Sequence, residues 1–168
     1  MDYKYFALYG FTILFIIYLY YLYKNLSLRE NNLILFGSLL ITIGYFYAIR
    51  ETYHKIYKKS VNHNISKSHL ILGLFLLLSS FIPINKHVKK WNIFGLVGHF
   101  ILINSNFGYQ QLANICLTIY YSVYTYHNGM KNILLDKLQS IGGGLILLYY
   151  IKKSIDNLYK EKEEKEKI

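Results

Sequence analysis

The chain has 168 residues, of which 54% are hydrophobic and 17% charged, and its mean hydropathy is +0.22. A soluble domain carries charge on roughly a quarter of its residues. The charged residues here cluster between long apolar runs, which is typical of membrane-spanning helices. The formal net charge of +10 lies on flanks that would meet lipid headgroups, which argues against nucleic acid as a partner. The single Cys116 excludes an intrachain disulfide and a cysteine-based metal cluster.

The first two apolar runs each have the length of a membrane span. Phe6 to Tyr23 carries tyrosines at both ends, like the two aromatic belts of a spanning helix. The second run, Leu33 to Ile49, predicts a helix that continues past the membrane to Lys55. Glu51 and Lys55 stand at the i,i+4 spacing that favours an ion pair.

The most basic loop follows, from Arg50 to Lys67, and its lysines predict an anchor on anionic lipid headgroups. His54, His63 and His69 fit no zinc-binding spacing. We therefore expect these histidines to be solvated or to face headgroups.

The next part of the chain predicts three helices in close succession. The apolar run Leu70 to Ile84 is short and contains Pro83 near its end. The stretch from Trp91 to Tyr126 is too long for one upright helix. It predicts two short helices, 91–103 and 112–126, joined by a polar turn. The alternative is a re-entrant segment followed by one span.

The last apolar run, Ile133 to Ile151, contains Gly142, Gly143 and Gly144, which permit a close helix contact or a kink. Lysine and glutamate alternate from residue 160 onward, as in a solvated helix end. We therefore expect a transmembrane bundle over residues 1–153 and a charged, solvent-exposed helical tail over 154–168. The predicted fold is an all-α polytopic integral membrane bundle of six transmembrane helices, or five with the re-entrant segment.

Polar side chains interrupt the apolar stretch after Trp91 and form the candidate intramembrane cluster. His99 is its ionisable member, and ionisable residues in lipid are costly and often functional. Two readings stay open for His99: a neutral histidine bonded to a neighbouring helix, or a role with a proton, an ion or a cofactor. Haem ligation would need a second histidine at membrane depth, and the sequence offers no obvious one. The cluster comprises His99, Asn104, Asn106, Gln110, Gln111 and Asn114.

The pattern assigns no catalytic residue, no cofactor and no metal. It favours a small multi-pass membrane protein that serves as a non-catalytic subunit or scaffold of a larger assembly. The alternatives are a small channel or transporter with its polar path around His99 and residues 104–114, and a lipid-modifying enzyme. The expected partners are a bilayer with anionic headgroups and other membrane subunits or further copies of the chain. The amino-acid usage resembles that of an AT-rich genome, as in an organelle, a protist or a large DNA virus, and leaves the membrane unspecified.

Overall fold

A computed structural model describes residues 2–57, 66–79, 90–103 and 109–165. These residues form six α-helices and no strands. In chain order the helices are α1 (Lys4–Ser27), α2 (Asn32–Tyr57), α3 (Lys67–Ser79), α4 (Asn92–Ile103), α5 (Gln110–Gly129) and α6 (Leu134–Lys165). The predicted all-helical fold is confirmed, and the stretch after Trp91 forms two helices as predicted.

The helices form a closed ring in which each one packs against its chain neighbours and α6 packs against α1. Successive helices run antiparallel. We call the end that holds Lys4, Tyr57 and Ile103 the first end of the ring, and the opposite end the second end. At the first end the backbone N–H of Ser66 donates to the carbonyl oxygen of Ile103 at 3.2 Å, which ties α3 to α4.

The middle of the ring is filled by large side chains. The core contains Phe11 and Leu14 of α1, Tyr45 of α2, Leu117 of α5 and Ile146 of α6, all of them buried. Aromatic pairs connect helices across this core. The Tyr18 and Tyr45 rings stack at 5.5 Å between centroids, and the Tyr121 and Tyr150 rings at 5.8 Å. The interior is therefore packed rather than open.

The ring closes where glycines allow α1 and α6 to approach closely. A Cβ atom on Gly10 would lie 2.7 Å from the carbonyl oxygen of Gly142 and 2.7 Å from Cγ1 of Ile146. Gly142 in turn packs against the Leu14 side chain. The predicted role of the glycine triplet in a close helix contact is thus confirmed at Gly142.

The outer surface of the ring is rich in large apolar side chains. Ile16, Phe36 and Phe46 are 60%, 53% and 51% exposed. By length and composition α1 and α2 could each cross a membrane, and within their most apolar windows only 28% and 33% of residues are buried in the bundle. Among the described helices these two alone meet that test, so the six spans expected from the sequence are supported for two.

Gly10→Ala should destabilise the bundle, because the new methyl group would press against backbone at the closure of the ring. We expect a loss of about 1–3 kcal/mol, typical of overpacking, seen as a lower thermal midpoint of the detergent-solubilised protein. Gly144→Ala is the matched control, since its Cβ would meet only the Thr125 methyl group at 3.7 Å. Equal midpoints for the two variants would contradict the close α1–α6 contact.

Candidate functional site

The carboxylate of Glu51 fixes the start of α3. It accepts hydrogen bonds from the Ser66 hydroxyl at 2.6 Å, the Ser68 hydroxyl at 2.7 Å and the Ser68 backbone N–H at 3.0 Å. An anion at a helix N-terminus is also favoured by the helix dipole. No ion pair joins Glu51 to Lys55 in the described part of the chain, so the predicted i,i+4 pair is replaced by a bond between α2 and α3.

Next to this carboxylate, in the first turn of α3, His69 is in direct contact with His99 of α4. Nδ1 of His69 on α3 lies 2.8 Å from Nδ1 of His99 on α4, and the ring centroids are 5.1 Å apart. A hydrogen bond between these nitrogens requires one ring to donate and the other to accept. The two rings therefore share one proton, and each keeps its Nε2 for another partner.

The placement of His69 corrects a prediction from the sequence. We expected His69 to be solvated or to face headgroups, but it is half-buried against His99, which is only 2% exposed. The signal that could have found it is Ser66, a good helix N-cap residue before an apolar run. A helix that begins at Lys67 places His69 in its first turn.

The distance between the two nitrogens excludes a metal ion held between them. Two imidazole nitrogens bound to one ion at about 2.0–2.1 Å each would stand more than ~3 Å apart. In the described residues, no group of three or more histidine, cysteine, aspartate or glutamate side chains is placed to hold a metal.

Two small cavities flank the histidine pair. One, of about 20 Å³, is lined by Glu51, Ser68 and His69 together with residues of α1 and α6. The other, of about 10 Å³, is lined by His99, Tyr45, Tyr120 and Tyr121 among others. A cavity needs about 10–15 Å³ to hold one water molecule. Each cavity is therefore of the size of a single water.

Two lysines on neighbouring helices exert an electrostatic effect on His69, which lines the first cavity. Lys55 lines it, and both Lys55 and Lys153 are close enough to His69 to affect it electrostatically. Lys153 lies beyond the apolar run that ends at Ile151, with its ammonium 5.9 Å from the centre of the Tyr149 ring. Burial lowers the pKa of Lys153 to about 8.

Of the remaining members of the predicted polar cluster, the three that the structure describes form no hydrogen bond with His99 within the described residues. Asn114 is fully buried at 0% exposure, and neither atom of its amide has a hydrogen-bond partner among the described residues. Gln110 and Gln111 are half-buried in the first turn of α5, and Oε1 of Gln111 is also without a partner. Asn104 and Asn106 lie outside the described residues. Within the described part, His99 pairs with His69 instead.

A second buried polar group lies toward the second end of the ring and was not predicted as a site. The Tyr18 and Tyr124 hydroxyls are 3.1 Å apart, and the Tyr124 hydroxyl donates to Oε1 of Gln139 at 3.4 Å. Asp136, one turn before Gln139, is buried and lies 3.6 Å from the Lys131 ammonium. Polar groups thus occur inside the ring near both ends.

Comparison with protein-family models, with curated proteins and with solved structures finds no match to this chain.

Ser68→Ala should loosen the junction between α2 and α3. It removes a hydroxyl donor from Glu51 in a buried position, and we expect a loss of about 1–3 kcal/mol in the free energy of unfolding. Ser122→Ala is the control, because that exposed hydroxyl bonds only to the Thr118 carbonyl of its own helix. Denaturant unfolding followed by circular dichroism measures both. A Ser68→Ala protein as stable as Ser122→Ala would show that the Glu51 contact does not hold α3.

Proposed function

We propose that the protein is an integral membrane bundle whose six helices lie in the bilayer, and that it serves as a small non-catalytic subunit of a larger membrane assembly. The observation that carries the membrane location is the distribution of polarity. Phe36 and Phe46 face outward, whereas His99 and Asn114 are inside. Such an arrangement suits a hydrocarbon solvent, because lipid covers the outer apolar groups and the ring shields the polar ones.

The uncovered surface of α1 and α2 argues against a helix pair from the core of a soluble protein. Core helices are mostly buried, but about two thirds of the apolar windows of α1 and α2 are not buried in this bundle. Large contiguous apolar surfaces on a protein in water are rare, and they mark contacts with membranes or with other proteins. Lipid or partner helices would cover these faces.

The subunit role is supported by the position of the exposed apolar side chains, which lie on the outer surface of the ring. The interior is filled by Leu14, Leu117 and Tyr121, while the unsatisfied apolar area lies on the outside. Neighbouring membrane subunits or further copies of the chain would meet this outer surface. The lysines near helix ends, such as Lys24 and Lys55, suit anionic headgroups.

A channel for hydrated ions fits the interior less well. The two cavities beside the histidine pair hold about 20 and 10 Å³, enough for single water molecules. Between them lie buried core side chains such as Leu72 and Tyr45. The subunit role therefore stands ahead of an open polar path through His99.

The membrane location predicts that the protein resists extraction by alkaline carbonate and leaves the membrane only with detergent. Intact-mass measurement of the extracted chain is the control, because removal of α1 would indicate a cleaved signal sequence. A folded, monodisperse protein in the detergent-free supernatant would overturn the membrane location.

The subunit role predicts protein cross-links from outward positions of α2. A photoreactive residue at Phe46 should give one discrete protein adduct that matches the species found with the chain on a blue-native gel. The same residue at the buried Phe11 is the control and should give none. Lipid adducts alone at position 46, with the chain migrating as a monomer, would refute the subunit role and leave the membrane location standing.

A further inference from the structure

The histidine pair lies between two cavities and joins them through a hydrogen bond. His69 lines the cavity of about 20 Å³ beside Glu51, and His99 lines the cavity of about 10 Å³ beside Tyr120 and Tyr121. Between them lies the Nδ1–Nδ1 hydrogen bond of 2.8 Å. A water in either cavity would meet a histidine whose Nδ1 is already engaged, so Nε2 is the nitrogen left for that water.

We propose that His69 and His99 pass protons between the two cavities, so that the pair is a proton-transfer site inside the bundle. The starting state has a proton on Nδ1 of His69 and a proton on Nε2 of His99. A hydronium in the first cavity protonates Nε2 of His69, and the Nδ1 proton of His69 moves to Nδ1 of His99. His99 then releases its Nε2 proton to water in the second cavity. One proton has entered and one has left, and no other bond is made or broken.

After one transfer the two rings have exchanged tautomers. His69 then carries its proton on Nε2 and His99 carries its proton on Nδ1, so the same hydrogen bond operates in the reverse direction. A further transfer in the first direction requires both rings to turn over. The pair therefore carries protons one at a time and gives no route to larger ions.

Among the described residues, the charged groups that act on the pair lie on the side of the first cavity. Glu51 offers a carboxylate at the first cavity, stabilised by the Ser66 and Ser68 hydroxyls. Lys55 and Lys153 act on His69 with the opposite sign, so this side carries two cations and one anion. The second cavity presents only neutral phenols near His99. The titratable and charged groups that face the pair are Glu51, Lys55 and Lys153 on the first side and Tyr45, Tyr120 and Tyr121 on the second.

Tyrosine rings continue from the second cavity toward the second end of the ring, where a polar group lies. The Tyr120 and Tyr124 rings lie 6.1 Å apart, and the Tyr124 hydroxyl contacts those of Tyr18 and the amide of Gln139. The buried Asp136 lies one turn further along α6. A proton released beside His99 would have this polar group between it and the second end of the ring.

The first test measures the pair itself and does not depend on a membrane. Protein labelled with ¹⁵N-histidine and purified in detergent should show coupling between the two Nδ1 nuclei through the shared proton, with both rings exchanging tautomers. His127→Phe should leave this signal intact. Absence of the coupling, or a fixed tautomer on each ring, would overturn the proposal even if the protein proves to be a membrane protein.

The second test measures proton flux and rests on the membrane location proposed above. Protein is reconstituted into phosphatidylcholine–phosphatidylglycerol vesicles that contain a pH-sensitive dye, with a potassium gradient and valinomycin as the driving force. We expect His69→Phe and His99→Phe to lower the flux to the protein-free rate if the pair alone carries the step. His127→Phe is the control and should keep the wild-type rate.

Each outcome of the flux test decides the proposal. Wild-type flux equal to that of empty vesicles, in vesicles shown to contain folded protein, would reduce the pair to a structural contact. Flux that survives both substitutions would place the path elsewhere. His99→Gln serves where the phenylalanine variant does not fold, because it keeps a hydrogen-bonding group but cannot be protonated on one side and deprotonated on the other. A protein that stays in the aqueous phase would instead refute the membrane location, and the labelled-histidine result would still stand.

Discussion

The structure depends on closure of the ring between α1 and α6. These helices are at opposite ends of the described chain, and their contact is not enforced by a short connection. It depends on the absence of side chains at Gly10 and Gly142, which lets the two backbones approach closely. The Leu14 side chain packs against Gly142. Close approach through small residues is the usual way in which helices associate when water does not drive them together. Without this contact Leu14 and Ile146, which are both fully buried at the α1–α6 junction, would lose their packing.

Because the ring is closed, the polar residues inside it need hydrogen-bond partners from neighbouring helices. A buried hydrogen-bonding group without a partner costs roughly 1–3 kcal/mol, and the penalty rises where no water can replace the partner. Glu51 meets this constraint with three donors, and His69 meets it with His99. Asn114 does not, since both of its amide atoms lack partners in the described residues. Polar contacts therefore join α2, α3 and α4 at one end of the ring and α1, α5 and α6 at the other, while Asn114 of α5 retains unused hydrogen-bonding capacity.

Hydrophobic patterning was enough to predict the helices but not their partners. Run lengths placed α1 and α2 well, and the excess length after Trp91 indicated two helices. The same reasoning chose His99 because it interrupts an apolar run. This reasoning did not identify His69, because His69 follows a basic loop and its sequence context predicts that it is solvated. Whether a histidine at a helix start is exposed depends on which helix packs beside it, and that follows from ring closure, a property of the whole chain. The Glu51 contact was missed for a related reason, because i,i+4 spacing considers one helix while Ser66 and Ser68 belong to the next.

The two histidines can be buried in the ring and still exchange a proton with each other. A lone imidazole inside the ring would have to leave a nitrogen unsatisfied or draw water into the core. Paired Nδ1 to Nδ1, His69 and His99 satisfy one nitrogen each with a single proton, and each ring also lines a cavity of the size of one water. A purely structural bond between α3 and α4 would be as well served by an amide pair, which has fixed donors and acceptors. An imidazole pair differs in that donor and acceptor can exchange while the geometry stays the same. This symmetry is what makes proton movement through the contact possible without movement of the helices.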